Sequence, residues 1–187
     1  MRIGLFGGAF DPFHNGHLAI CRAAVRSAGL DRLIVIPSGK APHKSGFAVG
    51  FEDRYNMTEA ALAGTGFEIS RYEGEREEVS YSATTVEDFY RMYPEDELFF
   101  LIGADSYRDI GKWYEPWRIT DIATLVVFPR GGMDIEVNPP AILVDMEKIE
   151  VSSTTVRNMI KAGEDVSPYL PEAVNEYIIK HNLYKCK

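Results

Sequence analysis

The segment IGLFGGAFDPFHNGH, Ile3–His17, contains the order of elements on which the predicted fold rests. A short apolar run, Ile3–Phe6, leads into a loop with Gly7 and Gly8, and a helical pattern begins near His17. Strand, glycine-rich loop and helix in that order are typical of a parallel α/β sheet. Glycines let such a loop approach a ligand closely, and the helix N-terminus offers backbone N–H groups to an anion.

The rest of the chain repeats this alternation of apolar runs and helical patterns. Runs that are apolar throughout predict strands buried on both faces, as in a parallel sheet. We therefore predict a single domain over residues 1–187 with a doubly wound, Rossmann-like α/β fold and helices on both faces, in which about 152–187 form a C-terminal helical portion. The predicted strands are Ile3–Phe6, Leu33–Ile36, Phe67–Arg71, Leu98–Ile102, Thr124–Phe128 and Ile142–Asp145, and the predicted helices are His17–Ala28, Phe51–Leu62, Thr84–Met92 with a Thr84–Glu87 capping box, Ser153–Ala162 and Pro171–His181.

Composition narrows the classes of partner. The 187 residues carry a net charge of −8, which argues against nucleic acid as the main partner but not against a small polyanion held at a locally basic site. No apolar run is long enough to span a bilayer, so no membrane is expected. Cys21 and Cys186 lie far apart in the sequence, which suits a reducing cytoplasm, although the sequence does not exclude a disulfide between them. The sequence also leaves the oligomeric state open, a homo-oligomer included.

The two histidines of the first loop, His14 and His17, allow three interpretations: packing, metal binding or phosphate binding. Neither GxGxxG nor GxxxxGK[ST] is present, so a phosphate site at this loop needs other donors, and the histidines are the ones in place. Zinc usually takes three protein ligands. His43 is a third histidine, but no HExxH motif or paired cysteines accompany it, so we predict no protein-held metal.

A second candidate anion site lies in EVSSTTVRNMIKAG, Glu150–Gly163. Ser152 or Ser153 is the expected N-cap, and Arg157 is expected in the first helical turn, where a cation opposes the helix dipole. An ordinary capped helix explains the serines but not the arginine. Hydroxyls, N-terminal amides and Arg157 together form a suitable cradle for phosphates.

Other candidates follow the later strands. Lys40 and Lys44 lie in the loop after the second strand, where a solvated role is the alternative to anion binding. For Arg54, on the next helix, a solvated or ion-paired role is the alternative to a role in the site. Asp105 stands at the end of a strand, where a carboxylate commonly accepts from ribose hydroxyls. Trp113 and Trp117 either form one core face or supply a ring that stacks on a flat ligand.

With these segments assembled, the chain resembles the (H/T)xGH nucleotidyltransferase family, through His14-Asn15-Gly16-His17 and Ser152–Arg157. Within it, the similarity is greatest to the bacterial nicotinate-nucleotide adenylyltransferases and runs almost end to end. Three positions depart from that pattern: Ala9 and Ser82 replace threonine, and Ala41 replaces proline. The further matching segments are Pro37–Lys44, Arg54 with Met57, Ser80–Ser82 with Thr85, Ile102–Asp105, Lys112–Tyr114, Tyr169–Pro171, Tyr177–Ile178 and Leu183–Tyr184.

The resemblance implies that ATP and nicotinate mononucleotide give deamido-NAD and pyrophosphate, with Mg²⁺ bound through the ATP phosphates. The alternatives are another phosphate acceptor, such as nicotinamide mononucleotide or phosphopantetheine, or a nucleotide-binding module without turnover. Catalytic roles are expected for His17, His14, Lys44 and Arg157. ATP is expected at Gly7, Gly8, Ala9 (through its backbone), Phe10, His14, Gly16, His17, Gly103, Asp105, Ser153, Thr154 and Arg157, and the acceptor at Lys44, Ser82, Thr85, Trp113 and Tyr114.

Overall fold

Strands and helices alternate along the protein, which a computed structural model describes for residues 1–40, 46–129, 135–147 and 151–185. The strands are β1 (Arg2–Gly8), β2 (Arg32–Pro37), β3 (Glu68–Ile69), β4 (Glu97–Gly103), β5 (Ala123–Phe128) and β6 (Ile142–Leu143). The α-helices are α1 (Asn15–Ala28), α2 (Phe51–Leu62), α3 (Ser82–Met92), α4 (Ala104–Asp109), α5 (Trp117–Thr120), α6 (Ser153–Ala162) and α7 (Glu172–Lys180). Short 3₁₀ helices cover Ile110–Lys112 and Ser167–Tyr169.

The strands form one parallel sheet in the order β3-β2-β1-β4-β5-β6. β1 lies between β2 and β4, so the direction of winding reverses beside it. In a doubly wound sheet, ligands bind in the crevice outside the carboxyl ends of the strands at this reversal. Gly7 and Gly8 end β1 at that crevice. The predicted doubly wound α/β fold is confirmed.

Each face of the sheet has its own apolar core because successive strand side chains point to opposite sides. In β4, Phe99 and Leu101 pack on one face, whereas Phe100 and Ile102 pack on the other. Helices α1, α2, α6 and α7 contribute buried residues to the first core, and α3, α4 and α5 contribute to the second. Among the described residues, no helix is long and apolar enough to cross a membrane.

Several predicted boundaries were wrong in informative ways. The strands expected at Phe67–Arg71 and Ile142–Asp145 are reduced to Glu68–Ile69 and Ile142–Leu143, since each lies at an edge of the sheet with one neighbour. The Thr84–Glu87 capping box does not exist, because α3 already begins at Ser82 with Tyr81 as its N-cap. The Glu87 carboxylate instead accepts from Arg118, with Nε 2.7 Å from Oε1.

Truncation in the core measures how far stability depends on the centre of the sheet. Leu5 lies in β1 and is fully buried. Leu5→Ala should lower the free energy of unfolding by about 2–5 kcal/mol, since it removes buried carbon atoms and leaves a cavity. Arg22→Ala, on the exposed side of α1, is the control and should stay within about 0.5 kcal/mol of the original protein. Urea denaturation measures both, and equal effects would contradict the assignment of β1 as the centre of the core.

Candidate active site

A cavity of about 610 Å³ opens at the carboxyl edge of the sheet. This volume lies in the range of ~300–1,000 Å³ that is usual for small-molecule sites. The ends of β1, β4 and β5 line it, together with the first residues of α3 and α6 and the loop between β1 and α1. Most of the predicted site residues meet here: Gly7, Gly8, Ala9, Phe10, His14, Gly16, His17, Ser82, Thr85, Gly103, Trp113, Tyr114, Ser153, Thr154 and Arg157.

The loop from β1 to α1 turns tightly over a buried aromatic ring. Phe10 has a positive φ of 47° and packs edge-on against Phe6, with ring centroids 5.3 Å apart. A Cβ atom at Gly8 would lie 2.8 Å from the Phe10 ring, so this position requires glycine. The loop therefore brings its backbone to the edge of the cavity.

His14 and His17 lie at the N-terminus of α1, with their rings stacked at a centroid distance of 3.6 Å. The backbone N–H of His14, the N-cap residue, donates to Nδ1 of His17 at 3.1 Å. Because Nδ1 accepts a hydrogen bond, the proton of a neutral His17 ring is on Nε2. The second ring nitrogen of His17 is thereby a hydrogen-bond donor, as a phosphate oxygen requires.

Helix α6 closes the cavity from the C-terminal part of the chain. Ser152 is its N-cap and accepts from the backbone N–H of Thr155 at 3.1 Å. The helix starts at Ser153, so Arg157 lies just beyond the first turn rather than within it as predicted. This position lets its guanidinium reach back over the N-terminus, where Nη2 lies 3.2 Å from Oγ1 of Thr154.

Two hydrogen bonds join α6 to the loop after β1. Nη1 of Arg157 donates to the carbonyl oxygen of Asp11 at 2.7 Å, and the Ser153 hydroxyl donates to that of Pro12 at 2.9 Å. The Ser153 hydroxyl proton is therefore already used, which leaves its backbone N–H as a donor to an anion. The two segments that the sequence singled out for phosphate binding form a single surface.

For Arg54, the alternative of a solvated side chain was wrong. Its side chain is 1% exposed and bridges two loops, donating from Nη1 to the Ala9 carbonyl at 2.8 Å and from Nη2 to the Ser38 carbonyl at 2.7 Å. The Phe47 ring covers the guanidinium group, with the ring centroid 3.7 Å from Cζ of Arg54. Burial lowers the pKa of Arg54. Its charge thus ties the ends of β1 and β2 together behind the cavity.

Glu73 is a second buried charge that sequence reasoning did not single out. It lines the cavity, accepts from the Thr85 hydroxyl at 2.8 Å and accepts from the Gly39 N–H at 3.2 Å. Burial raises its pKa. A Cβ at Gly39 would lie 2.0 Å from the Glu73 carbonyl oxygen, so the two segments are in close backbone contact. Neither the burial of Glu73 nor its close contact with Gly39 could be predicted from the spacing of residues in the sequence.

Aromatic side chains also line the cavity. Trp113 lines it and packs edge-on against Phe100 at 6.4 Å. Tyr114 lies 4.8 Å from the Tyr81 ring and is largely exposed at the rim. Trp117 is 56% exposed, so the alternative in which both tryptophans form one core face was wrong.

Some predicted residues lie elsewhere. Asp105 is exposed at the start of α4 and does not line the cavity. It is nevertheless close to Gly103, which lines the cavity: a Cβ atom at Gly103 would lie 2.6 Å from Oδ1 of Asp105. Lys40 is exposed and its Nζ donates to the Glu77 carbonyl at 2.9 Å. Lys44, like Ala41 and His43, lies outside the described residues. Within the ranges that the structure describes, no group of three His, Cys, Asp or Glu side chains is arranged to hold a metal ion.

Comparison with known proteins identifies the family. A model of the cytidylyltransferase-like family matches residues 5–159. The chain belongs to this family. A probable nicotinate-nucleotide adenylyltransferase of Thermus thermophilus is 42% identical, over 99% of this chain and 100% of its own length. The one of Clostridium tetani is 38% identical, over 97% and 98%.

Two solved structures share the fold. A nicotinic acid mononucleotide adenylyltransferase of Plasmodium falciparum, complexed with NaAD, aligns with a TM-score of 0.83 at 21% identity, over 98% of this chain and 97% of that one. A structure from Vibrio parahaemolyticus, described as a putative nicotinate-nucleotide adenylyltransferase, aligns with a TM-score of 0.74 at 22% identity, over 98% and 94%.

The buried arginine provides a test of how the site is held. Arg54→Lys should lower the free energy of unfolding by about 1–3 kcal/mol, because an ammonium group cannot reach two carbonyls with the arginine fork and leaves a buried acceptor unpaired. Arg91→Lys, at a side chain that is 70% exposed, is the matched control and should have little effect. Equal midpoints in urea for both variants would contradict the bridging role.

Proposed function

We propose that this protein transfers the adenylyl group of ATP to nicotinate mononucleotide, which gives deamido-NAD and pyrophosphate in NAD biosynthesis. The observation that carries the proposal is that the Arg157 and Ser153 hydrogen bonds join the SSTTVR segment to the loop leading into the HNGH segment, so that both segments line one cavity. The full-length similarity to probable nicotinate-nucleotide adenylyltransferases supports the choice of substrates.

The reaction needs positioning and charge neutralisation rather than a general base. An ionised phosphate oxygen of the mononucleotide attacks the α-phosphorus of ATP in line, the bond to the bridging oxygen of the β-phosphate breaks, and pyrophosphate leaves with that electron pair. The enzyme lowers the barrier by aligning the two phosphates and by donating to oxygens that gain charge. His17 is suited to this through its Nε2 proton, with His14 stacked beside it.

The ATP end is proposed to follow the two joined segments. The loop after β1 brings backbone groups close to the nucleotide, and the α6 N-terminus with Arg157 receives the β- and γ-phosphates. Asp105 is proposed to accept from the ribose hydroxyls, and Lys44 to bring charge to the reacting phosphates. The proposed ATP contacts are Gly7, Gly8, Ala9, Phe10, His14, Gly16, His17, Gly103, Asp105, Ser153, Thr154 and Arg157.

The acceptor end is proposed to lie between α3 and the aromatic residues. Tyr81, the N-cap of α3, provides no side-chain cap, and the first N–H groups of a helix have no partner within it. Backbone donors at Ser82 and Tyr114 suit the nicotinate carboxylate better than an uncharged amide, and Trp113 is placed to stack on the pyridine ring. The Thr85 hydroxyl is held by Glu73, so we assign Thr85 to shaping this end rather than to donating from its side chain.

Mg²⁺ fits as an ion carried by the nucleotide. The described cavity offers N–H groups, hydroxyls and an arginine, which bind phosphate oxygens, while the Asp11 and Glu73 carboxylates in its lining are already hydrogen-bonded. A hard cation would therefore be held mainly through the nucleotide and water. When bound, the ion neutralises charge on the triphosphate. Arg157, the α6 amides and His17 hold the phosphates in place.

We further propose that the enzyme works in the cytoplasm and does not bind nucleic acid as its main partner. Cys21 is buried, and burial raises the pKa of its thiol to about 12, which keeps the thiol protonated and unreactive. The net charge of −8 repels the phosphate backbone of a nucleic acid except at a locally basic site.

The proposed function is tested by pyrophosphate release from ATP with each candidate acceptor. Nicotinate mononucleotide should support turnover, whereas nicotinamide mononucleotide should be the poorer substrate and phosphopantetheine inactive. Faster turnover with another acceptor would reassign the substrate. ATP binding by calorimetry without release for any acceptor would indicate a binding module.

His17→Ala should lower kcat by on the order of 10²–10³, as for the loss of a preorganised oxyanion donor, while the protein stays folded under the assay conditions. Steady-state pyrophosphate release measures the effect. His181→Ala removes an exposed histidine at the end of α7 and is the control. Near-normal turnover of His17→Ala would remove this residue from the catalytic role.

Arg157→Ala should raise the KM for ATP by about tenfold or more, because a charge-assisted contact to phosphate is lost. Lys161→Ala removes a positive charge from an exposed position on the same helix and should leave the KM within about twofold. A KM for ATP that is the same in both variants would assign Arg157 to the support of the loop alone.

A further inference from the structure

One side chain of the C-terminal tail contacts a residue that lines the active-site cavity. Tyr184 lies beyond α7 in a left-handed backbone conformation, with φ of 63°, and its side chain is buried. Its hydroxyl donates to Oδ1 of Asp11 at 2.7 Å, across 173 positions of sequence. Burial is the largest cause that raises the pKa of the Tyr184 phenol, and the negative charge of Asp11 raises it further. The phenol therefore stays protonated and remains a hydrogen-bond donor.

Asp11 is the point where three separate segments meet the loop after β1. Its Oδ1 accepts from Tyr184, its Oδ2 accepts from the Ala48 N–H at 2.7 Å, and its backbone carbonyl accepts from Arg157 at 2.7 Å. The carboxylate is 4% exposed and lines the cavity. A carboxylate this deeply buried depends on both donors, because each one offsets part of the lost hydration.

We propose that Tyr184 is a positioning residue for the loop after β1. Its hydroxyl fixes the orientation of the Asp11 carboxylate, and Asp11 in turn sets the backbone between Ala9 and His17 that receives the nucleotide. Tyr184 itself is not among the residues that line the cavity. This inference rests on the proposed function, since its kinetic consequence is a change in the use of ATP.

Other contacts hold the tail besides this hydroxyl, so we expect that catalysis and folding can be separated. Helix α7 buries Val174 and Ile178 in the core. The Tyr177 hydroxyl, on the same helix, donates to Oδ1 of Asp53 at 3.1 Å and accepts from Asn56 at 3.2 Å, both on α2. Tyr177 does not line the cavity. It is therefore a matched control: a tail tyrosine that anchors the same helix away from the site.

The experiment compares Tyr184→Phe with Tyr177→Phe in the full chain. Both keep the ring and lose a hydroxyl, and Tyr184→Phe should lower the urea midpoint more than Tyr177→Phe, because it takes a donor from the buried Asp11 carboxylate. Both variants should remain folded under the assay conditions, so the kinetic comparison is made on folded protein. Tyr184→Phe alone should lower kcat/KM for ATP by about tenfold and should weaken binding of α,β-methylene-ATP in calorimetry by a similar factor. Tyr177→Phe should stay within about twofold in both measurements.

A second pair of variants tests the route through Asp11. In an Asp11→Ala background, Tyr184→Phe should change kcat/KM for ATP by less than twofold, because the acceptor of the Tyr184 hydroxyl is already removed. Full additivity of the two changes, or equal kinetics for Tyr184→Phe and Tyr177→Phe, would overturn the proposal. If the original protein released no pyrophosphate, the proposed function would fail, and analogue binding would still decide the role of Tyr184.

Discussion

The active site depends on the attachment of a C-terminal helix to an N-terminal loop. The loop from β1 to α1 presents the Asp11 and Pro12 carbonyls toward α6, and Arg157 and Ser153 donate to them. Buried carbonyls need partners, so the loop and the helix each satisfy a requirement of the other. As a result the two segments proposed to bind phosphate, distant in sequence, share one cavity only when the C-terminal part of the chain is folded onto the sheet.

Buried charges perform the same task at the other loops. The doubly wound sheet brings the strand ends to one edge, but it does not set the spacing between the loops that follow. Arg54 links the carbonyls of Ala9 and Ser38, and Glu73 links Gly39 to Thr85. Each charge is costly to bury unless it is hydrogen-bonded, which explains why both contact neighbouring segments rather than the solvent.

The fold could largely be predicted from the sequence, whereas the supports of the site could not. Apolar runs such as Leu98–Ile102 and the helical spacing of residues 17–28 depend on local pattern, and the structure agrees with both to within a few residues. The α4 and α5 helices are too short for a periodic signal. The roles of Arg54 and Glu73 depend on contacts between segments distant in sequence, which no local pattern encodes. Ala9 departs from the usual threonine, and its carbonyl nevertheless supports the loop through Arg54.

The most direct test of this account is a crystal structure with α,β-methylene-ATP and Mg²⁺. The account predicts a triphosphate between the loop after β1 and the N-terminus of α6, with His17 Nε2 at the α-phosphate and Arg157 at the outer phosphates. A triphosphate bound away from either segment, or one that contacts the loop while α6 remains remote, would contradict it.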